Sequence, residues 1–292
     1  MASTATSARL QILGAALLFS TGGAAIKAAS LTVWQLAGLR AAIGGIFLVL
    51  VLPVARRLLE PRVLAVGALY AVMTVSYVAA TRLTTAGNVM FLVAASPLAV
   101  LLLSWWWLGE RASRREVLFM LPMALGLVLC LGSAQPALAT APNPALGNLF
   151  AVVNLVIWAA LLVTMRALGR GRESVDDLAP AAIAVGNLMA AAVCLPLAGS
   201  PTDISPVDWL LVAYLGIVQI GLAYVWLTAG IRRVAAFESS LLLLVEPVAN
   251  PLWAWAAHGE LPTRWAGVGG AVILGALAAK LWWVDRYASR SG

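Results

Sequence analysis

The chain is 292 residues long, 62% hydrophobic and only 11% charged, with a mean hydropathy of +0.95 and a formal net charge of +7. A soluble domain carries about 25% charged residues, so this chain lacks the charges to coat a water-facing surface; an ordinary cytosolic enzyme, a disordered chain and a secreted module are excluded. A membrane span takes ~20 apolar residues plus a connection, so the length holds roughly ten spans and almost no domain outside the bilayer.

Apolar runs between charged or Pro/Gly/Asn breaks predict helices at about 8–27, 32–54, 62–82, 84–108, 114–134, 145–168, 177–198, 206–231, 235–257 and 264–285. The expected fold is an all-α polytopic membrane bundle, because a membrane barrel would show short alternating segments instead. Residues 10–26 have the length of a signal-peptide core. Only Arg9 precedes them in the flank and no clear cleavage site follows, so a retained first span is expected. Fifteen of the nineteen basic residues fall at one end of the predicted spans and three (Lys27, Arg82, Arg264) at the other, with Arg40 inside the second span. The positive-inside rule then places both termini in the cytoplasm and makes nucleic acid an unnecessary explanation of the charge.

Segments recur at a fixed offset of 150. Ala80–Ala86 lies over Gly230–Ala236, Ser96-Pro97 over Glu246-Pro247, and Leu108-Gly109-Glu110 over His258-Gly259-Glu260. At an offset of 139, Phe19–Lys27 lies over Trp158–Arg166. Two five-helix repeats are expected, at 8–134 and 145–285, joined by the chargeless link 134–144. An odd number of helices per repeat makes the second enter the membrane from the opposite side. Inverted repeats are an architecture of secondary transporters, with the substrate site near mid-membrane between the halves.

Other chemistries find little support. Cys130 and Cys194 sit alone in apolar runs and read as buried free thiols. His258 is the single histidine, so neither a multi-histidine metal site nor an obvious hydrolytic triad is available. There is no phosphate-cradling G-x-x-x-x-G-K-[ST] loop, which excludes ATP-driven pumping by this chain alone. No cofactor and no metal are expected. A non-transporting membrane enzyme remains the alternative from another class, and would need a convergent catalytic set at one membrane face.

Glu246 lies ~11 residues into the ninth helix, about 16 Å along it at 1.5 Å per residue. A carboxylate that deep costs ~2.5 kcal/mol or more and generally faces a cavity or a partner. It reads either as a substrate or proton site, or as a structural group held by a neighbouring helix. Pro247 and Pro251 each delete a backbone N–H beside it, and Pro97 does so in the first repeat, so all three are candidate kink or gating positions. Asn250 shares the Glu246 face at i+4. Arg40 is the natural partner at depth, neutralising Glu246, binding a substrate carboxylate, or snorkelling toward an interface. Glu238, one turn into the ninth helix, reads as a helix-end carboxylate. Asn154 and Trp158 share a face, and Trp226 is also deep in its span; together they suggest an amphipathic pocket, against the plainer reading of packing. Ser20, Thr21, Ser76, Ser96, Asn187 and Gln219 read as interhelical hydrogen-bonding groups.

The run from Tyr224 to Ala236, continuing through Val245-Glu246-Pro247-Val248 and Gly259-Glu260 to Gly267–Gly270, resembles the signature of the drug/metabolite transporter superfamily, specifically its EamA-type exporters. The first repeat keeps Pro97 and Gly109-Glu110 but has Ser96 in the acidic position. Gln35–Arg40 is similar to the family's second-helix arginine segment, whereas in the first helix Phe19–Gly22 replaces the tryptophan often found there. The resemblance implies ten helices, a central cavity and export of small metabolites across the inner membrane. Ten-helix amino-acid exporters of the YddG type, some selective for aromatic amino acids, are the nearest comparison. Exporters of drug-like or nucleotide-sugar-type metabolites and a channel-like facilitator remain open at this point.

Overall fold

The computed structural model describes residues 2–56, 60–110, 114–132, 137–169, 175–199, 204–234 and 236–288. Arg57, Arg111, Arg170, Arg172 and Arg290, which enter the basic tally, lie outside the described residues. Among the described residues the chain is helical almost throughout, and the only pairing of extended backbone is an isolated bridge between Leu138 and Ala141.

The first crossing is α1 (Ala2–Ser20) and, after a break at Thr21, α2 (Gly22–Ala28); the second is α3 (Val33–Val51) and the third α4 (Pro61–Leu83). The fourth is α5 (Ala86–Ala94) and α6 (Ser96–Leu108), the fifth α7 (Arg114–Gly132), the sixth α8 (Pro144–Gly169) and the seventh α9 (Val175–Leu197). The eighth runs as α10 (Pro206–Ala213), a π-helical stretch Tyr214–Leu222 and α11 (Ala223–Ile231). The ninth is α12 (Ala236–Leu243) with α13 (Val245–His258), and the tenth is α14 (Arg264–Ala288).

Local chemistry sets these boundaries. Thr32 and Gln35 form a reciprocal capping box that starts α3. Ser205 caps α10 by accepting from the Asp208 N–H. Proline opens α4 and α10 where its missing N–H costs nothing.

Nine helical stretches among the described residues are long and apolar enough to cross a membrane. The fifth expected span is the shorter exception, its apolar part being Glu116–Gly132. Tertiary contacts show that it crosses nonetheless. Arg82 donates to the carbonyls of Ala29 and Leu31, Lys27 to that of Thr84, and Ser30 to Asp208. The Asn143 N–H donates to Leu83, and Glu260 accepts from Ala86. The connections after the first, third, fifth, seventh and ninth crossings therefore meet at one end of the bundle, the Lys27 end. Only a full fifth crossing can bring the chain there.

Packing follows the repeat. Shifting each crossing by five pairs the third–sixth contact (α4 on α8) with the eighth–first (α11 on α1). The third–seventh contact (α4 on α9) pairs with the eighth–second (π stretch on α3), and the fourth–sixth (α5 and α6 on α8) with the ninth–first (α12 and α13 on α1). The second–seventh, fourth–ninth and fifth–tenth contacts map onto themselves.

The fifth–tenth crossing shows what close approach requires. A Cβ on Gly126 would sit 2.6 Å from the Gly269 carbonyl oxygen, and one on Gly269 would sit 2.5 Å from that of Gly126. Small residues at such crossings let backbones touch where no hydrophobic effect drives association. Gly269→Val should therefore force α7 and α14 apart and lower the melting temperature in detergent. Gly275→Ala in the same helix, where a Cβ meets nothing within 4 Å, should leave stability unchanged or raise it by up to ~1 kcal/mol.

Candidate functional site

Two crossings break at matching points. The fourth is interrupted at Ala95, two residues before Pro97, and the ninth at Leu244, three before Pro247. Proline supplies no N–H to the preceding turn. The chain instead closes with short bonds, Ala95 N–H to Leu92, Leu98 N–H to Ala95 and Leu244 N–H to Leu241. The two breaks face a central cavity of about 350 Å³ whose wall includes Val93, Ala94, Ser96, Pro97, Leu243, Glu246 and Pro247. That volume lies within the usual range for small-molecule sites.

The other walls come from the first, second, third, sixth, eighth and tenth crossings. They contribute Phe19; Arg40; Tyr70, Met73, Thr74 and Tyr77; Asn154 and Trp158; Gln219, Ile220, Tyr224 and Leu227; and Leu277. Arg40 is 4% exposed. Its Nη2 donates to Thr74 Oγ1 at 3.2 Å, and its guanidinium carbon lies 5.9 Å from the centre of the Tyr77 ring. Nε and Nη1 have no hydrogen-bond partner. Arg40 and Glu246 share the cavity but do not come within 4.0 Å of one another, so the ion pair expected between them is not formed. Tyr70 and Tyr224 meet hydroxyl to hydroxyl at 3.5 Å, and Phe19 packs edge-on against Tyr224 with ring centres 4.9 Å apart. Asn154 donates to the Met73 carbonyl at 2.6 Å and to Ser76 Oγ at 3.2 Å, which ties the sixth crossing to the third.

The match to known sequences covers both halves. A model of the EamA-like transporter family matches residues 6–132 and again residues 145–280. The chain belongs to the EamA-like transporter family. It is a multi-pass membrane transporter of the drug/metabolite type. No curated protein matches the chain. Its fold is similar to that of a protein of known crystal structure, with 23% identity over 97% of this chain and 99% of the other and a TM-score of 0.61. At that identity the likeness concerns the fold alone.

Within this EamA-like bundle, the residues singled out from sequence divide in two. Glu246, Arg40, Asn154, Trp158, Pro97 and Pro247 stand on the cavity wall. Asn250, Trp226 and Pro251 do not. Asn250 is fully buried against Gly23 of α2, its Oδ1 lying 2.7 Å from where a Cβ would be. Trp226 packs on Gly14 of α1, whose Cβ would stand 2.7 Å from the indole. Pro251 abuts Gly87 of α5 in the same way, at 3.2 Å. Glu238 caps no cavity; it pairs with Arg9 at the exposed opposite end of the bundle, the Arg9 end.

The third crossing was the missed wall. Tyr70, Met73, Thr74 and Tyr77 recur at i, i+3, i+4 and i+7, one helical stripe that carries two of the chain's five tyrosines. That pattern was readable in the sequence. The π stretch was not.

Trp226→Ala should lower thermal stability by about 2–3 kcal/mol, less than the ~3–5 of a fully buried tryptophan, with ligand affinity of the folded fraction unchanged. Trp158→Ala should alter affinity. Isothermal titration on both purified variants separates packing from lining.

Proposed function

We propose that this transporter is an inner-membrane secondary carrier that exports small metabolites, amino acids foremost, by alternating access. The observation that carries this reading is a cavity holding one guanidinium and one carboxylate, Arg40 and Glu246, on separated walls. A zwitterion meets both: its carboxylate accepts from the unoccupied Arg40 donors, and its ammonium donates to Glu246. The remaining wall is aromatic and thioether surface from Phe19, Tyr70, Tyr77, Trp158, Tyr224, Met73 and Met90, which suits an apolar or aromatic side chain. Substrate binding would then relieve the cost of a guanidinium with two unpartnered nitrogens at membrane depth. Glu246 is also the group on this wall able to carry a coupled proton.

Counterflow of labelled amino acids in proteoliposomes tests the reading. Saturable, counterflow-competent uptake is expected from the native protein. Arg40→Met and Glu246→Gln should each lower kcat/KM by ~10²-fold, about the ~2.7 kcal/mol of one charge-assisted contact, while remaining folded. Uptake that never saturates would favour the facilitator, and undiminished uptake by both variants would sink the amino-acid reading.

The orientation proposed places the Arg9 end, and both termini, in the cytoplasm. Cys130 and Cys194 are buried and supply a quiet background. A cysteine at exposed Ala139 should be labelled by an impermeant maleimide on intact cells, and one at exposed Arg233 only after permeabilisation. The reverse pattern inverts the protein.

A further inference from the structure

A guanidinium and a carboxylate that share one cavity at membrane depth attract each other strongly, because little water screens them. Arg40 and Glu246 line the same cavity, yet they do not come within 4.0 Å of one another. Were they to close into a pair, a substrate would bind only the fraction of molecules in which the pair is open. Something on the wall keeps them apart.

The third crossing supplies it. Thr74 and Tyr77 lie on one stripe of α4, and both hold Arg40. Nη2 donates to Thr74 Oγ1 at 3.2 Å, and the guanidinium carbon lies 5.9 Å from the centre of the Tyr77 ring. That separation is at the outer limit of a cation–π contact, so the ring acts more by the space it fills than by attraction. Tyr77 lies within electrostatic reach of both charges, whereas neither charge reaches the other. Tyr224 is also in reach of both, but its hydroxyl meets Tyr70 and its ring meets Phe19. The guanidinium rests on Tyr77.

The Tyr77 ring cannot easily step aside. It packs against two buried clusters at once, one that includes Val89, Leu92 and Ala151 and one that includes Ile26, Leu36 and Val78. The first joins the fourth and sixth crossings, and the second joins the first and second to the third. A ring seated in two close-packed clusters keeps its volume in place.

We propose that Tyr77 is a spacer: its ring keeps Arg40 and Glu246 from closing on one another in the empty cavity and so holds both free for substrate. The proposal rests on the reading of those two residues as the substrate's charged contacts. Tyr77 is a positioning residue in this role, acting through Arg40.

A double-mutant cycle between Arg40 and Glu246, read as the melting temperature of purified protein without ligand, detects the pair directly. In the native background the shifts caused by Arg40→Met and Glu246→Gln should add. With Tyr77→Ala the two charges close, each single substitution then strands the other charge, and the double variant should lose markedly less than the sum. Tyr77→Phe keeps the ring and should leave the shifts additive. Titration with phenylalanine, a zwitterion with an apolar side chain, gives the second readout. Tyr77→Ala should bind it about tenfold more weakly, as when roughly a tenth of the molecules keep both charges free, and Tyr77→Phe should bind it as the native protein does. Should Tyr77→Ala fail to fold, Tyr77→Leu removes the ring while keeping more of its apolar volume. Shifts that already fail to add in the native background, or that still add once the ring is gone, overturn the spacer. If the cycle behaves as expected but the native protein binds neither phenylalanine nor any other standard amino acid, the spacer stands and the amino-acid reading fails.

Discussion

Hydrocarbon cannot satisfy a backbone hydrogen bond, and that constraint locates the site. A helix crossing lipid must pair every N–H and C=O internally, or turn the unpaired ones toward protein or a cavity. Pro97 and Pro247 break two crossings near their middles, and the flanking turns close with tightened bonds at Ala95 and Leu244. Those turns have to face inward. The fourth and ninth crossings consequently pack on one another, and the loosened backbone of Val93–Pro97 and Leu243–Pro247 becomes the wall of the central cavity.

Charge is handled in two different ways at the two depths. At the Lys27 end the buried ionic groups described above have several polar partners each. Arg82 serves the carbonyls of Ile26, Ala29 and Leu31. Asp208 accepts from the Ser30 N–H and hydroxyl and from Ser205 Oγ. Lys27 and Glu260 neutralise one another. At the centre, Arg40 has one hydroxyl partner and an aromatic face. Each of those end groups meets several partners, whereas Nε and Nη1 of Arg40 have none. This contrast, more than the presence of charge at depth, distinguishes the central arginine from the structural cations.

The crossings, their order and the repeat were legible because each follows from one-dimensional signals: apolar run length, basic asymmetry and a constant offset. Placing individual side chains required knowing which neighbour each helix face meets. Asn250 and Glu246 share a face of α13, yet one turn separates the cavity wall from the contact with Gly23. Trp226 is marked in the sequence by its depth in the span alone, and depth does not say which side of the helix meets the cavity. The π-helical Tyr214–Leu222 changes the registry of everything after it, and a face projected at 3.6 residues per turn across that stretch is rotated. Gln219, Ile220, Tyr224 and Leu227 turn to the cavity, and Trp226 turns to Gly14. No residue in Tyr214–Leu222 announces the wider turn, which packs against α3.

The fold is nearly two-fold symmetric and the chemistry on its axis is not. Position for position, Ser96-Pro97 and Glu246-Pro247 present the same backbone break to the same cavity, one with a hydroxyl and one with a carboxylate. In the proposed alternating-access cycle, symmetry of the backbone serves exchange between two ends, because each half can take the other's conformation at similar cost. Symmetry of the charges would work against the substrate proposed. Two carboxylates in one desolvated chamber disfavour each other's ionisation and would leave Arg40 outnumbered. With serine in the first repeat, the cavity keeps one positive and one negative group, so a ligand bearing one charge of each sign completes both in a single orientation. On the proposed reading, the serine that stands in the acidic position of the first repeat's motif is part of the recognition apparatus.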